Sequence, residues 1–372
     1  MSLGIRWRAF LREEWLLATL LAALPLLMWL APGTPAAVLP GLPALVDWNT
    51  LAALTGLMVL SRGLEDSGYL FAAGRWLLGR VHSERALAAA LVGFSAVLST
   101  VVTNDVALFI VVPLTLGLSS VARLPVGRLV IFEALAVNAG SSLSPVGNPQ
   151  NLFLWQSAGV SFLEFGLAMA PLAGALMAAL FAAIPFGFAG GRIDVAEHLP
   201  GLPLRRGLLW LSLLLYPAFL ACAELDSSVP GAIVVVLLYL ATARTVLRGV
   251  DWLLLAVFAL MFIDLGLLAG LPMVAAVAAD LDQAPGGLLT AGILLSQVIS
   301  NVPAAIFLAG FTDDWRTLAW AVSVGGFGFA IGSMANLIAL RLAREHGLWW
   351  GFHQWSIPAL AIAWLIAHCA LP

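Results

Sequence analysis

Eleven long apolar stretches dominate this chain, and in two of them a cluster of polar residues interrupts the run midway. A membrane-crossing helix needs about 20 consecutive apolar residues. Nine stretches meet that requirement: 14–31, 50–67, 128–158, 166–189, 207–225, 229–247, 252–270, 317–342 and 355–371. The other two, 86–121 and 287–311, are broken by Thr103-Asn104-Asp105 and by Ser300-Asn301-Val302-Pro303. A bilayer core offers backbone groups no water, so a break at membrane depth survives only where it is buried in protein or lines a wet cavity. Both stretches therefore read as re-entrant hairpins whose arms are each too short to cross.

Composition closes the alternatives. Of 372 residues, 62% are hydrophobic and only 10% charged, and the mean hydropathy is +1.02. Soluble domains hold roughly 45–50% apolar and 25% charged residues, so a soluble or disordered chain is excluded. All 17 basic residues are arginine. Without lysine there is no Gly-Lys phosphate loop and no Schiff-base or lysine general-base chemistry. A net charge of −3 gives no footprint for a nucleic-acid partner. Cys222 and Cys369 stand alone and read as small buried hydrophobes. His346 and His353 flank Trp349-Trp350 as interfacial residues, and no HExxH or Ser/His/Asp order argues for an enzyme. No metal or organic cofactor is expected.

Arginines set the orientation. Arg6, Arg8 and Arg12 precede a run, Trp15 to Ala31, with no small-residue cleavage site, so this reads as a retained first span. A cytoplasmic N-terminus puts Arg75, Arg80, Arg85, Arg123, Arg128, Arg192, Arg205, Arg206, Arg244, Arg248, Arg341 and Arg344 inside, and only Arg316 outside. The C-terminus then falls in the periplasm. Residues 64–85 hold either an extra short helix or an interfacial segment.

The chain also repeats itself. Val46-Asp47-Trp48 opens one span and Val250-Asp251-Trp252 another, 204 residues later; Asn104 and Asn301 mark hairpin tips 197 apart; and Gly147-Asn148-Pro149-Gln150-Asn151 and Gly332-Ser333-Met334-Ala335-Asn336 mark breaks 185 apart. By the arginine count the two copies enter the membrane from opposite sides, which is the sequence mark of a secondary transporter. The expected organisation is an N-terminal segment with the first span (1–45), repeat 1 (46–190), a linker with two spans (191–249) and repeat 2 (250–372). The fold class is all-α polytopic membrane protein, with two inverted-topology repeats, two re-entrant hairpins and broken transmembrane helices.

In such folds, broken helices meet near the midplane and coordinate ions and substrate. The candidate residues are Thr103, Asn104, Asp105, Asn138, Ser142, Ser144, Gly147, Asn148 and Asn151 in the first copy, and Ser300, Asn301, Gly332, Ser333 and Asn336 in the second. Glycine and proline free carbonyls to face a cation, a helix N-terminus presents N–H groups to an anion, and asparagine adds donors and acceptors without a buried charge. Three carboxylates lie at membrane depth. Asp105 is either a proton or cation carrier or a helix cap; Glu133 is either a carrier or an ion-pair partner of Arg128; Asp264 has no counterpart in the first copy. No arginine lies within these motifs, so an anion is expected to rest on helix N-termini and on asparagine or serine donors.

Thr103-Asn104-Asp105-Val106-Ala107 with Pro113, Asn138-Ala139-Gly140 leading into Pro145-Val146-Gly147-Asn148-Pro149-Gln150-Asn151, and Ser300-Asn301-Val302-Pro303 resemble the ion transporter superfamily. That group includes citrate-transporter-like permeases, ArsB-type arsenite permeases and divalent-anion/sodium symporters. The resemblance extends over essentially the whole chain and is nearest to the YbiR-type bacterial inner-membrane subgroup. It implies an elevator-type transporter with a dimerising scaffold, hence a homodimer in the lipid bilayer of the inner membrane, with a small solute as substrate. It also implies that Asn104 and Asn301 take the hairpin-tip roles, and Asn148, Asn151, Ser333 and Asn336 the break roles. The tips read Thr-Asn-Asp and Ser-Asn-Val where sodium-coupled members carry Ser-Asn-Thr, and the break reads Gly-Asn-Pro-Gln-Asn where arsenite permeases carry Gly-Asp-Pro-Pro-Asn. The function expected is secondary-active transport of a small anion or oxyanion-like solute coupled to H⁺ or Na⁺. The alternatives are Na⁺/H⁺ antiport through Asp105, arsenite or antimonite efflux, and, from another class, a membrane-embedded enzyme.

Overall fold

The computed structural model describes residues 15–119, 124–193, 202–278, 286–343, 345 and 347–370. Arg6, Arg8, Arg12, Arg123, Arg344 and His346 lie outside them, as do positions 14, 120–121 and 371 at the ends of expected segments. Among the described residues there is no strand, only an isolated bridge pairing Ser83 with Arg192. The chain is all-α.

Helix α1 (Trp15–Leu30) is followed by a helical segment, Pro35–Leu45, bent from it by 110°. Next come α2 (Trp48–Asp66), α3 (Tyr69–Leu78), α4 (Glu84–Val101) and α5 (Asn104–Ser119). The expected span at 128–158 is two helices, α6 (Val126–Ser141) and α7 (Pro149–Ala158), and α8 (Phe162–Gly187) returns across the fold. The linker region holds α9 (Arg206–Glu224) and α10 (Ser228–Thr242). Then follow α11 (Trp252–Ala269), α12 (Pro272–Ala278), α13 (Gly287–Ile299), α14 (Asn301–Ala309), α15 (Trp315–Gly325), α16 (Met334–Ala343) and α17 (Leu348–Ala370).

The two Val-Asp-Trp triplets do the same local work. Asp47 accepts from the Thr50 N–H at 3.0 Å and Asp251 from the Leu254 N–H at 3.0 Å, each capping the helix that follows. Trp48 donates its indole N–H to the Pro43 carbonyl at 3.0 Å, and Trp252 donates to the Leu247 carbonyl at 2.7 Å. Both indoles latch five residues upstream.

Several expectations need correction. Helix α4 has 18 residues, about 27 Å at 1.5 Å per residue, and is apolar enough to cross alone; the first hairpin's arms are not both too short. The expected span 229–247 breaks at Ala243 into α10 and a five-residue helix, Arg244–Arg248. Helix α17 starts at Leu348, well before position 355. Residues 64–85 do contain the extra short helix, α3. Among the described residues, only α8, α9 and α11 of the expected spans, together with α4, are individually long and apolar enough to cross, and α1 joins them with its bent extension. Part of the shortfall arises because broken spans count in pieces, and α2 carries polar residues such as Asn49, Ser61, Arg62 and Glu65. Cys222 is half-buried and Cys369 exposed, where both read from the sequence as small buried hydrophobes.

Packing follows a pattern that positions the breaks. Helix α4 lies on α6, and α13 on α15. At Gly140 a Cβ would strike the Ala96 backbone, and at Gly325 one would strike Ser296, so both crossings need glycine. The short helix α7 reaches over to α14 and α15, while α16 reaches back to α5 and α6. Helices α9 and α10 pack on α2, where Gly56 admits the Phe219 ring and Gly63 admits Tyr239 and Ser212, whose hydroxyls lie 2.7 Å apart.

Candidate functional site

Four helices start at one cavity. Its volume is about 230 Å³, and its walls include Asn104 and Asp105 at the start of α5, Pro149 and Gln150 of α7, Asn301 and Val302 of α14, and Ser333 and Met334 of α16. The first turn of any helix carries unpaired N–H groups, and its macrodipole places about half a positive charge there. Two helix junctions, at 102–104 and 300–301, and two helix breaks thus aim partial positive charge at one small space.

Behind this wall, the breaks are fastened by their own asparagines. Asn148 caps α7, its Oδ1 accepting from the Asn151 N–H at 2.9 Å, while its Nδ2 donates to the Ser141 carbonyl at 3.2 Å. Asn151 donates to the Ser142 carbonyl at 3.0 Å, and Ser144 Oγ to the Thr100 carbonyl at 2.7 Å. Ser142 Oγ turns back to the Ala139 carbonyl at 2.7 Å. Gly147 sits where a Cβ would strike the backbones of Ser141 and Ser99, and its carbonyl accepts from the Asn104 N–H at 2.8 Å, tying break to hairpin tip. The carbonyls expected to face a cation are therefore engaged largely by side-chain amides.

Asn138 joins the two breaks. Its Nδ2 donates to the Gly326 carbonyl at 3.0 Å and to Asn336 Oδ1 at 2.8 Å, and its Oδ1 accepts from Ser333 Oγ at 3.0 Å. Asn336 in turn donates to the Gly326 carbonyl at 2.9 Å. Gly332 lies against the Gly325 carbonyl, where a Cβ would come within 2.6 Å. Two residues outside the motifs complete the pattern. Thr100 Oγ donates to the Gly140 carbonyl at 2.9 Å, and Gln297 Nε2 to the Gly325 carbonyl at 2.8 Å. These pairs stand at the spacings read from the sequence, 197 between hairpin positions and 185 between break positions.

Of the expected site residues, Asn104, Asp105, Asn301 and Ser333 line the cavity. Asn138, Ser142, Ser144, Gly147, Asn148, Asn151, Gly332 and Asn336 build the framework behind it. Thr103 is buried at the first tip. Ser300 holds the second tip with φ 76 and ψ 156, a conformation that L-residues rarely adopt, and its buried Oγ has no partner. It borders an adjoining apolar cavity of about 340 Å³ between α1, α11 and the second hairpin.

The carboxylates separate. Asp105 lines the cavity, and Glu133 and Asp264 do not. Glu133 is fully buried; one oxygen accepts from Thr115 Oγ on α5 and the other has no partner. It forms no ion pair with Arg128, which donates to the Gly187 carbonyl and lies 5.9 Å over the Trp355 ring. Five residues along a helix point in different directions, unlike three or four. Asp264 is 3% exposed with neither oxygen partnered. Among the described residues no cluster of three His, Cys, Asp or Glu could hold a metal ion.

The motif reading missed Gln150, Asp251 and Arg341 as cavity-lining residues. Arg341 lies outside the motifs, none of which contains an arginine, yet it lines the cavity. Its signal was helical spacing: Met334, Leu337, Ile338 and Arg341 fall at i, i+3, i+4 and i+7, one face of α16.

The model of a family described as "CitMHS: Citrate transporter" matches residues 9–325. Inner membrane protein YbiR of Escherichia coli (strain K12) is 47% identical over 331 residues, 88% of this chain and 89% of that protein. An uncharacterized transporter of Methanocaldococcus jannaschii is 31% identical over 303 residues, 81% of this chain and 82% of that protein. A putative transporter arsB of Dictyostelium discoideum is 27% identical over 122 residues, 33% of this chain and 22% of that protein.

Proposed function

The chain belongs to the citrate transporter family of the ion transporter superfamily, and from that premise we propose that it is a secondary-active transporter of the bacterial inner membrane that moves a small anion coupled to H⁺ or Na⁺. The observation that carries this reading is the convergence of four helix N-termini on one cavity: anions bind where helix N-termini and their aligned dipoles meet. Asp105 in the same cavity is the candidate coupling carboxylate. The name of the Escherichia coli relative supports the inner-membrane location.

The same proposal includes two inverted repeats, 46–190 and 250–372. The matched Asp caps and Trp latches support it, as do the Thr100 and Gln297 bonds and the reciprocal packing of α7 and α16. Helices α4–α8 and α13–α17 form the transport part, and α1, α2 and α9–α11 the scaffold that pairs in a homodimer. With the N-terminus cytoplasmic, Arg341 and Asp251 stand at the cytoplasmic end of the cavity.

Proteoliposomes loaded with citrate, smaller carboxylates or arsenite and subjected to imposed pH or sodium gradients test the reading. Gradient-driven flux of an anion, lost in Asn104→Ala, supports it. No flux of any solute, with Asn104→Ala indistinguishable from the parent, refutes it. Sodium-dependent proton movement without any solute, abolished by Asp105→Asn, would establish Na⁺/H⁺ exchange instead.

A further inference from the structure

We propose that Arg341 is the residue through which this cavity reads the charge of its solute, holding the anionic group against the N-terminal amides of the four helices. The inference rests on the anion-transport reading above and assigns its charge specificity to a residue outside every motif. Arg341 shares its helix face with Met334, Leu337 and Ile338, all of which line the cavity. It lies about 10 Å along the axis from Met334 at 1.5 Å per residue. Side chains on a helix lean back toward its N-terminus, which for Arg341 is the Ser333 end, where the amides converge.

Arg341 is also uncommitted. Arg62 is spent on Glu65 at 3.1 Å and Asp66 at 3.0 Å, Arg85 on the Phe188 carbonyl at 2.9 Å, and Arg128 on the Gly187 carbonyl. Arg341 makes no hydrogen bond or ion pair among the described residues, although Asp105 and Asp251 line the same cavity. Asp251 is occupied as the cap of α11. A second polar group waits in the same wall: Gln150 is 2% exposed, and its Oε1 has no partner. An unpartnered polar group as deep as Gln150 is costly unless something else meets it, and Arg341 itself is exposed at the cavity wall. Without Arg341 the cavity's charged side chains would be two carboxylates alone, and an anion would meet net repulsion.

The test uses the full chain, purified and reconstituted, with citrate, succinate, phosphate and uncharged glycerol as probes. Binding is read by thermal shift, and transport by counterflow. The expected result is that at least one anion binds the parent protein, and that Arg341→Gln weakens its apparent affinity roughly 10- to 150-fold, the size of one charge-assisted hydrogen bond, with maximal counterflow retained. Arg341→Lys should restore much of that affinity as a point charge, and the effect should be absent for glycerol. Because Arg341 has no partner among the described residues, unliganded Arg341→Gln should melt as the parent does. Unchanged anion affinity in Arg341→Gln, a loss of maximal rate with affinity intact, or binding of no anion by the parent would each overturn the proposal. Gradient-driven flux of an anion in the parent survives the first two outcomes if the transport reading holds; binding of no anion, or no flux of any solute, sinks that reading as well.

Discussion

Replacing Asn138 with alanine removes the side chain that ties one helix break to the other, and its cost can be worked bond by bond. The Gly326 carbonyl keeps a second donor, Asn336 Nδ2 at 2.9 Å, and Ser333 Oγ keeps the Ala335 N–H at 3.3 Å, so each of these two losses is worth about 1 kcal/mol. Asn336 Oδ1 fares worse. Asn138 is its one donor among the described residues, and Asn336 is fully buried, so leaving it unmet costs about 1–3 kcal/mol. The sum is about 3–5 kcal/mol, which for a chain this large lowers the melting temperature by roughly 4–6 °C. The assay is thermal unfolding of detergent-solubilised protein followed by tryptophan fluorescence, for Asn138→Ala, Asn336→Ala and the double variant. Because both single changes remove the same bond, the double should lose less than their sum by about 1–2 kcal/mol. An unchanged melting temperature in Asn138→Ala, or strict additivity, would refute the reasoning.

Asp105→Asn should abolish gradient-driven accumulation in proteoliposomes while solute exchange without a gradient continues; equal accumulation would remove Asp105 from the coupling role. Ser300→Gly relieves a backbone conformation that costs about 1–3 kcal/mol, so its melting temperature should rise, and a fall would show that the serine stabilises the tip. Gly140→Ala pushes a methyl into the Ala96 backbone and should destabilise by about 1–3 kcal/mol, measured as a lower yield of folded protein and a lower melting temperature. Full tolerance would mean that α4 and α6 separate freely.

What could be read from the sequence was wherever polarity interrupts an apolar run, because the bilayer penalises such interruptions. Asn104, Asn301, Asn148 and Ser333 were located this way, and each falls at a helix start. The Asp47 and Asp251 caps were visible as repeated triplets. What the apolar count could not supply was direction. It treated Arg341 as one more cytoplasmic anchor, since its place in the cavity depends on where α16 begins and which face it turns inward. Gln297 was hidden because a lone glutamine in an apolar stretch has no signature until its partner, the Gly325 carbonyl, is close by. The Glu133–Arg128 pairing failed on information already present, since a spacing of five does not bring side chains together on a helix. The length of α4 was obscured by counting both arms and the tip as one interrupted run.

The exchange of short helices between the halves has a consequence for how the protein is made. Helix α16 fills a seat against α5 and α6, and α7 lies against α14 and α15. During synthesis the first half enters the membrane with that seat vacant and with Asn138 lacking its partners until the ribosome has reached Asn336 and beyond. Backbone and amide groups exposed meanwhile to lipid cannot be left unmet, so this stage needs water or an insertion factor to cover them. Lesions near the end of the chain should therefore act on the beginning as well, appearing as turnover of the whole nascent protein rather than as a truncated but stable first half.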